Sequence, residues 1–366
     1  MSASLVCIDD YEKYALSVLP RDALDFYRSG AGSQQTLADN RQSFLRYKIR
    51  PRFLRDVSNR NSSTTILGKK ISMPIGISPT ALQKMAHADG EVATARAAEA
   101  MGTIFILSTA SSTSIEEVAK AAPNCIKWFQ LYVFKDRNVT RSLVERAEKA
   151  GYEALVLTVD LPVLGIRHAD VRNKFTLPQH LTYANFDSLT QQLKNSTNKV
   201  CLKDYINAIY DSSLQWNDIK WLKTITTLPI ILKGVLTAED ALLAAEVQVD
   251  GIIVSNHGGR QLDDTFATID VLEEIVQAVG NKMEIYMDGG IRDGVDVFKA
   301  LALGAKMVFI GRPALWGLAH SGEDGVNNVL NILRNEFDTT LALSGCRGLG
   351  DIRREMVVHV TRHWKL

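Results

Sequence analysis

The sequence predicts a single α/β domain folded as a (β/α)8 TIM barrel, with an N-terminal helical extension and a long loop after the fourth strand. Two observations predict it. Eight short apolar, β-branched runs each precede a segment with helical spacing, and the runs are apolar throughout rather than alternating, as strands covered on both faces require. Only two stretches break the repeat, about 70 residues before the first run and about 70 between the fourth and fifth, the latter long enough to be a lid or binding loop. An open doubly wound sheet shares this alternation and is the other architecture it allows.

The runs are Met73 to Ile77, Thr103 to Ser108, Ile126 to Val133, Ala154 to Val159, Pro229 to Lys233, Gly251 to Ser255, Glu284 to Asp288 and Met307 to Gly311. Helical patterns lie between them at Gly90 to Met101, Ile115 to Ala121, Arg141 to Ala150, Ala238 to Glu246, Ile269 to Ala278 and Asp293 to Leu303. The boundaries follow: an extension over 1–70 capping the barrel's lower end, the barrel over 71–345, an active-site loop over about 172–215 and a tail over 346–366.

Composition narrows the partners. Lys plus Arg number 42 against 41 Asp plus Glu, so the net charge of +1 offers no field for nucleic acid or an anionic membrane, and a small molecule is the expected partner. Cys7, Cys125, Cys201 and Cys346 are scattered without a CxxC pair, which argues against a zinc site or a disulfide framework. The start MSASLVCIDDYEKY is not a secretory signal, and no apolar run reaches the roughly 18 residues of a membrane span.

Barrel chemistry sits at the carboxyl ends of the strands. Those ends read Pro79 and Thr80; Ser108 and Thr109; Gln130 and Tyr132; Thr158 and Asp160; Lys233; Ser255, His257 and Arg260; Asp288, Gly289, Gly290 and Arg292; Gly311 and Arg312. Buried polar groups are costly without partners, so eight such ends converging imply a site. MDGGIRDG and FIGRP end the last two strands in glycine and arginine, a pairing suited to phosphate. Lys233 ends PIILK facing an anion, an electron-rich ring or a carbonyl substrate. In SNHGGRQLD, His257 offers a base near neutral pKa beside Arg260, a carboxylate clamp, and Asp160 is placed to orient the imidazole. Tyr132 is either a donor to substrate or a core aromatic, and Arg167 a second clamp.

SNHGGRQLD, PTALQKMAH, FQLYV, TVDLP, LKGVLTAEDA, DGGIRDGVDVFKALALGA and IGRP, in this order between about Asp9 and Arg347, resemble the FMN-dependent α-hydroxy-acid oxidase family, which includes glycolate oxidase and the long-chain 2-hydroxy-acid oxidases. The resemblance implies non-covalent FMN, His257 as base with Asp160, Arg260 and Arg167 on the substrate carboxylate, Tyr132 on the substrate, and Lys233 supporting the reduced flavin. It also implies flavin contacts at Pro79, Thr80, Ala81, Ser108, Gln130, Thr158 and Ser255, and phosphate and ribityl contacts at Asp288, Gly289, Gly290, Arg292, Gly311 and Arg312. The implied reaction takes (S)-2-hydroxy acids to 2-oxo acids, with O2 as acceptor giving hydrogen peroxide, in a homotetramer; a family dehydrogenase with another acceptor and a flavin-dependent isomerase are the competing readings.

Two departures bear on the substrate. DFYRSGA places Phe26 where short-chain members carry a tyrosine, and LSTASSTS places Ala110 where they carry a tryptophan. Both changes favour medium- or long-chain aliphatic or aromatic acids, with short-chain glycolate oxidation as the alternative. The C-terminal RHWKL is similar to the peroxisomal address S-K-L with Trp364 in place of the small residue, implying a peroxisome, with the cytosol as the alternative.

Overall fold

The computed structural model describes residues 5–186 and 202–361. Its eight parallel strands, Ile75–Ile77, Ile104–Leu107, Ile126–Leu131, Ala154–Thr158, Ile230–Val235, Gly251–Val254, Glu284–Asp288 and Met307–Ile310, pair in chain order. The eighth returns to the first through Val308 on Ile75, Phe309 on Gly76 and Ile310 on Ile77, so the sheet is a closed barrel. All eight predicted runs are barrel strands. The fifth continues two residues past its predicted end at Lys233, through a register slip at Gly234.

Each strand alternates between two apolar environments. Phe105, Leu107, Phe129, Leu131, Leu155, Leu157, Leu232, Ile252, Val254, Met287, Val308 and Ile310 pack into the large cluster shared with the surrounding helices. The intervening Ile104, Ile106, Trp128, Ala154, Val156, Ile231, Ile253, Tyr286, Met307 and Phe309 form a separate cluster that fills the lower barrel. Gly76 makes room for it, since a Cβ there would lie 2.5 Å from Met307 Cε and 2.8 Å from Phe309 Cε1.

The extension reverses one expectation. Its helices are expected beneath the barrel, but the lower end is closed by an antiparallel hairpin, Thr64–Ile66 with Lys69–Ile71. Ile66 and Ile71 join the interior cluster, and the Leu67 amide donates to the Glu284 carboxylate at 3.2 Å. Helices Arg21–Arg28 and Gln35–Gln42 lie at the opposite end, where backbone carbonyls from Phe26 to Ser29 accept from Arg260 and Arg312. Helical spacing shows which face of a helix is apolar; it carries no information about which end of the barrel that face meets.

In the long insertion, helices His168–Asn173 and Leu202–Ile209 precede Trp216–Ile225. Part of the expected active-site loop, 187–201, and the terminal RHWKL, 362–366, lie outside the described residues. Among the described residues no helix is long and apolar enough to cross a membrane.

Candidate active site

The inward positions change character two residues above the apolar layer. Ile106 is followed inward by Ser108, Trp128 by Gln130, Val156 by Thr158, Ile231 by Lys233, Ile253 by Ser255 and Tyr286 by Asp288. These polar residues are all buried, and they pair with one another. Lys233 Nζ lies 3.0 Å from Asp288 Oδ2 and donates to Ser255 Oγ at 2.7 Å, while Ser78 Oγ donates to the same Asp288 oxygen at 3.0 Å. Gln130 donates to Thr158 Oγ1 at 3.0 Å and accepts from the Thr109 amide at 3.1 Å. A single cavity above this layer is lined by Pro79, Thr80, Ala81, Ser108, Gln130, Thr158, Lys233, Asp288, Gly289, Gly290, Arg292, Gly311 and Arg312, and also by His257, Arg260, Arg167, Tyr132, Phe26 and Ala110. Ser255, expected on the wall, stands behind it, holding Lys233 and accepting from the His257 amide at 3.1 Å. Asp160 likewise stands behind His257.

The HGGR stretch is a left-handed turn, with φ of 59° at His257, 64° at Gly258 and 72° at Gly259. At histidine this conformation is strained and is held only by its surroundings. Here the imidazole Nδ1 is fixed 2.8 Å from Asp160 Oδ1. The glycines admit close neighbours: a Cβ at Gly259 would lie 2.7 Å from the Leu37 amide nitrogen, and one at Gly258 would lie 2.9 Å from Arg312 Nη1. The turn is therefore shaped to receive the N-terminal extension while it aims His257 into the cavity.

Burial pushes the His257 imidazole below its ordinary value, although Asp160 pulls the other way. Burial alone would raise the Asp160 carboxyl, but His257 and then Lys233 outweigh it and hold it below the usual carboxylate range. A neutral imidazole backed by a charged carboxylate is a base ready at neutral pH.

Burial also depresses the arginines: Arg167, Arg260 and Arg292 fall below their ordinary value, and Arg312 is pushed down to about 9 by burial and by Arg292 and Arg167. Arg167 is 4 % exposed; its Nε donates to the Arg260 carbonyl at 3.2 Å, and its nearest carboxylate, Asp170, is 3.9 Å away. Arg260 uses Nη1 on the Phe26 and Ser29 carbonyls and lies 5.3 Å over the Phe26 ring. Tyr132 stacks on Tyr210 with centroids 4.7 Å apart. This side of the cavity can hold an anionic group close to the imidazole.

The other side suits a phosphorylated cofactor. The stretch Arg312–Ser344 is two helices that meet at a kink at Ser321 and Gly322, and the first begins at the cavity with Pro313 in its first turn, so its amides face inward. Arg292 Nε is buried without a hydrogen-bond partner, as is Asp288 Oδ1. Gly289 and Gly290, at φ of 94° and 87°, bring bare backbone to the wall. One orphaned guanidinium donor, an orphaned carboxylate acceptor that a ribityl hydroxyl can satisfy, a helix N-terminus and close backbone fit the phosphate and ribityl end of FMN.

Several residues in the lining or directly behind it carry no signal in the sequence. Asn40 and Asn256 exchange amide hydrogen bonds at 2.8 and 2.7 Å, tying the extension to the end of the sixth strand, and Tyr27 Oη donates to the Leu82 carbonyl at 2.6 Å. Glu91, fully buried, accepts from the Gln83 and Ser112 amides and the Ser112 and Thr113 hydroxyls at 2.7 to 3.0 Å. It thereby joins the loops after the first and second strands. Tyr183, Ile206 and Tyr210 come from the long insertion.

The model of one protein family, described as FMN-dependent dehydrogenase, matches residues 15–359. The 2-hydroxyacid oxidase 1 of Homo sapiens is 51% identical over 360 residues, covering 98% of this chain and 97% of that protein. The glycolate oxidase of Spinacia oleracea is 54% identical over 357 residues, covering 98% and 96%. Among solved structures, mandelate oxidase with (S)-4-hydroxymandelic acid superposes with a TM-score of 0.91 at 41% identity, covering 96% of this chain and 98% of that one.

Proposed function

The chain belongs to the FMN-dependent dehydrogenase family, and from that premise we propose that it oxidises (S)-2-hydroxy acids to 2-oxo acids, with O2 as the final acceptor and hydrogen peroxide as the co-product. The observation that carries this reading is the His257–Asp160 pair sharing one cavity with Arg167, Arg260 and a phosphate-suited wall.

Bound FMN supplies a two-electron acceptor that O2 restores. Pro79, Thr80, Ala81, Ser108, Gln130 and Thr158 hold its ring, Asp288, Gly289, Gly290, Arg292, Gly311 and Arg312 its ribityl phosphate, and Ser255 acts through Lys233. Arg260 and Arg167 bind the substrate carboxylate, and Tyr132 donates to the same end of the molecule. With Nδ1 committed to Asp160, the Nε2 of His257 takes the substrate proton. Asp160 stabilises the imidazolium that results without itself becoming protonated. Lys233 contributes fixed positive charge on the cavity floor.

The substrate side chain is medium or long aliphatic, or aromatic, because Ala110 leaves apolar space beside Leu161, Leu164 and Ile206 and Phe26 presents a ring without a hydroxyl. The aromatic acid named with the mandelate oxidase structure supports that choice. The experiment is anaerobic stopped-flow absorbance of the FMN-loaded protein with 2-hydroxyoctanoate and, in parallel, glycolate. Faster bleaching by 2-hydroxyoctanoate is expected; preference for glycolate would retain the reaction and discard the chain-length reading, and no bleaching by either would overturn the reaction. The assembly is a homotetramer on family resemblance, and light scattering should give four times the 40.5 kDa of one chain.

A further inference from the structure

A second cavity lies on the far side of the stacked Tyr132–Tyr210 pair. Tyr132, Thr158, Leu161 and Tyr210 line both it and the candidate active site, so the two spaces share a wall. Val159, Leu161, Leu214, Trp216, Ile219 and Val235 give it an apolar side, while Asp211, paired with Arg137 at 2.7 Å, and the exposed Asp240 also stand on its wall. Ser212, Gln215 and Asn217 at its edge are exposed, so it opens to water. It also runs past Gly234, where the fifth strand slips register. At φ 110°, and with a Cβ there falling 2.6 Å from Asp160 Cβ, that position excludes a side chain. None of the steps proposed above uses this space.

We propose that the second cavity receives the distal alkyl chain of the substrate, and that Tyr210 is the specificity-determining wall the chain turns aside to enter it. The inference rests on the 2-hydroxy-acid reading above and deepens it, fixing the substrate class as unbranched long-chain acids. An alkyl chain fits along the apolar side, because the wall is shared with the substrate space and the open rim lets the chain grow without a clash. Tyr210 is suited to the role. It follows helix Leu202–Ile209, and its ring packs on Tyr132 and edge-on against Phe134, with centroids 5.0 Å apart. Short acids stop at this wall. Each methylene buried beyond it should raise kcat/KM about fourfold, until the chain reaches the exposed rim.

The test is the kcat/KM profile of the FMN-loaded enzyme across unbranched (S)-2-hydroxy acids from 2-hydroxybutyrate to 2-hydroxydodecanoate, for the wild type, L214W and Y210A. In the wild type the profile should stay flat and then climb. L214W fills the cavity and should lower the ratio of 2-hydroxydecanoate to 2-hydroxybutyrate kcat/KM at least about tenfold. Y210A should move the onset of the climb to shorter acids. Should L214W fail to load FMN, N217W narrows the same cavity from its exposed rim and should lower the ratio in the same direction. A wild-type profile that climbs while neither tryptophan variant changes it would overturn the cavity assignment and leave the long-chain reading standing. A wild-type profile that falls with length would remove that reading, and the assignment with it.

Discussion

The two ends of the barrel are built by the same eight strands and hold opposite kinds of side chain. At the lower end Trp128, Tyr286 and Phe309 meet with ring centroids 5.7 to 5.9 Å apart, and the hairpin seals them from water. Two residues higher, the inward positions on two of those strands are Gln130 and Asp288, and the space above collects Lys233, Arg167, Arg260, Arg292 and Arg312. Apolar burial at the lower end stabilises the fold. At the upper end burial works against the charges, as the depressed arginines show, so those charges are placed for a ligand rather than for the fold. Substitutions at the two ends should therefore separate stability from activity.

W128A should have the largest effect on the fold, about 3–5 kcal/mol of unfolding free energy by denaturant titration, with kcat of the folded holoenzyme within about twofold of wild type. A matching loss of kcat in folded protein would break the comparison. R260M should do the reverse, costing about 2–4 kcal/mol in kcat/KM, mostly through KM for the substrate carboxylate, with the apo-protein losing much less stability than W128A does, only what the freed Phe26 carbonyl costs. D160N should lower kcat about a hundredfold and also move a pH limb. The base works unprotonated, so a depressed His257 keeps kcat/KM high below pH 6.5, the ordinary histidine value. Removing the carboxylate takes away what raises that pKa, so the acid limb in D160N should lie lower still. The smallest effect belongs to E91Q: it preserves shape but turns an amide toward hydroxyls that now donate, and FMN should bind about tenfold more weakly by fluorescence titration.

The strands and their polar tips were legible because a parallel barrel strand is apolar on both faces until it reaches the site. The switch from Ile231 to Lys233, or from Tyr286 to Asp288, is visible in one line of sequence. What was not legible depends on contacts between distant segments. Asn40 meets Asn256 across 216 residues, and a lone asparagine carries no periodicity. Glu91 reads as an ordinary first-turn carboxylate until the loops after two strands fold onto it. Ser255 and Lys233 both look like strand ends, and only the inward reach of the lysine puts one on the cavity wall and the other behind it.

The central claim is that His257 is the base of this upper end. Its most direct test is the anaerobic rate of flavin reduction by (S)-2-hydroxyoctanoate in wild type and H257Q, with FMN occupancy measured in the same samples. We predict fully loaded H257Q reduced about a thousandfold more slowly. Reduction within about tenfold of wild type, well below what a general base contributes, would contradict the account.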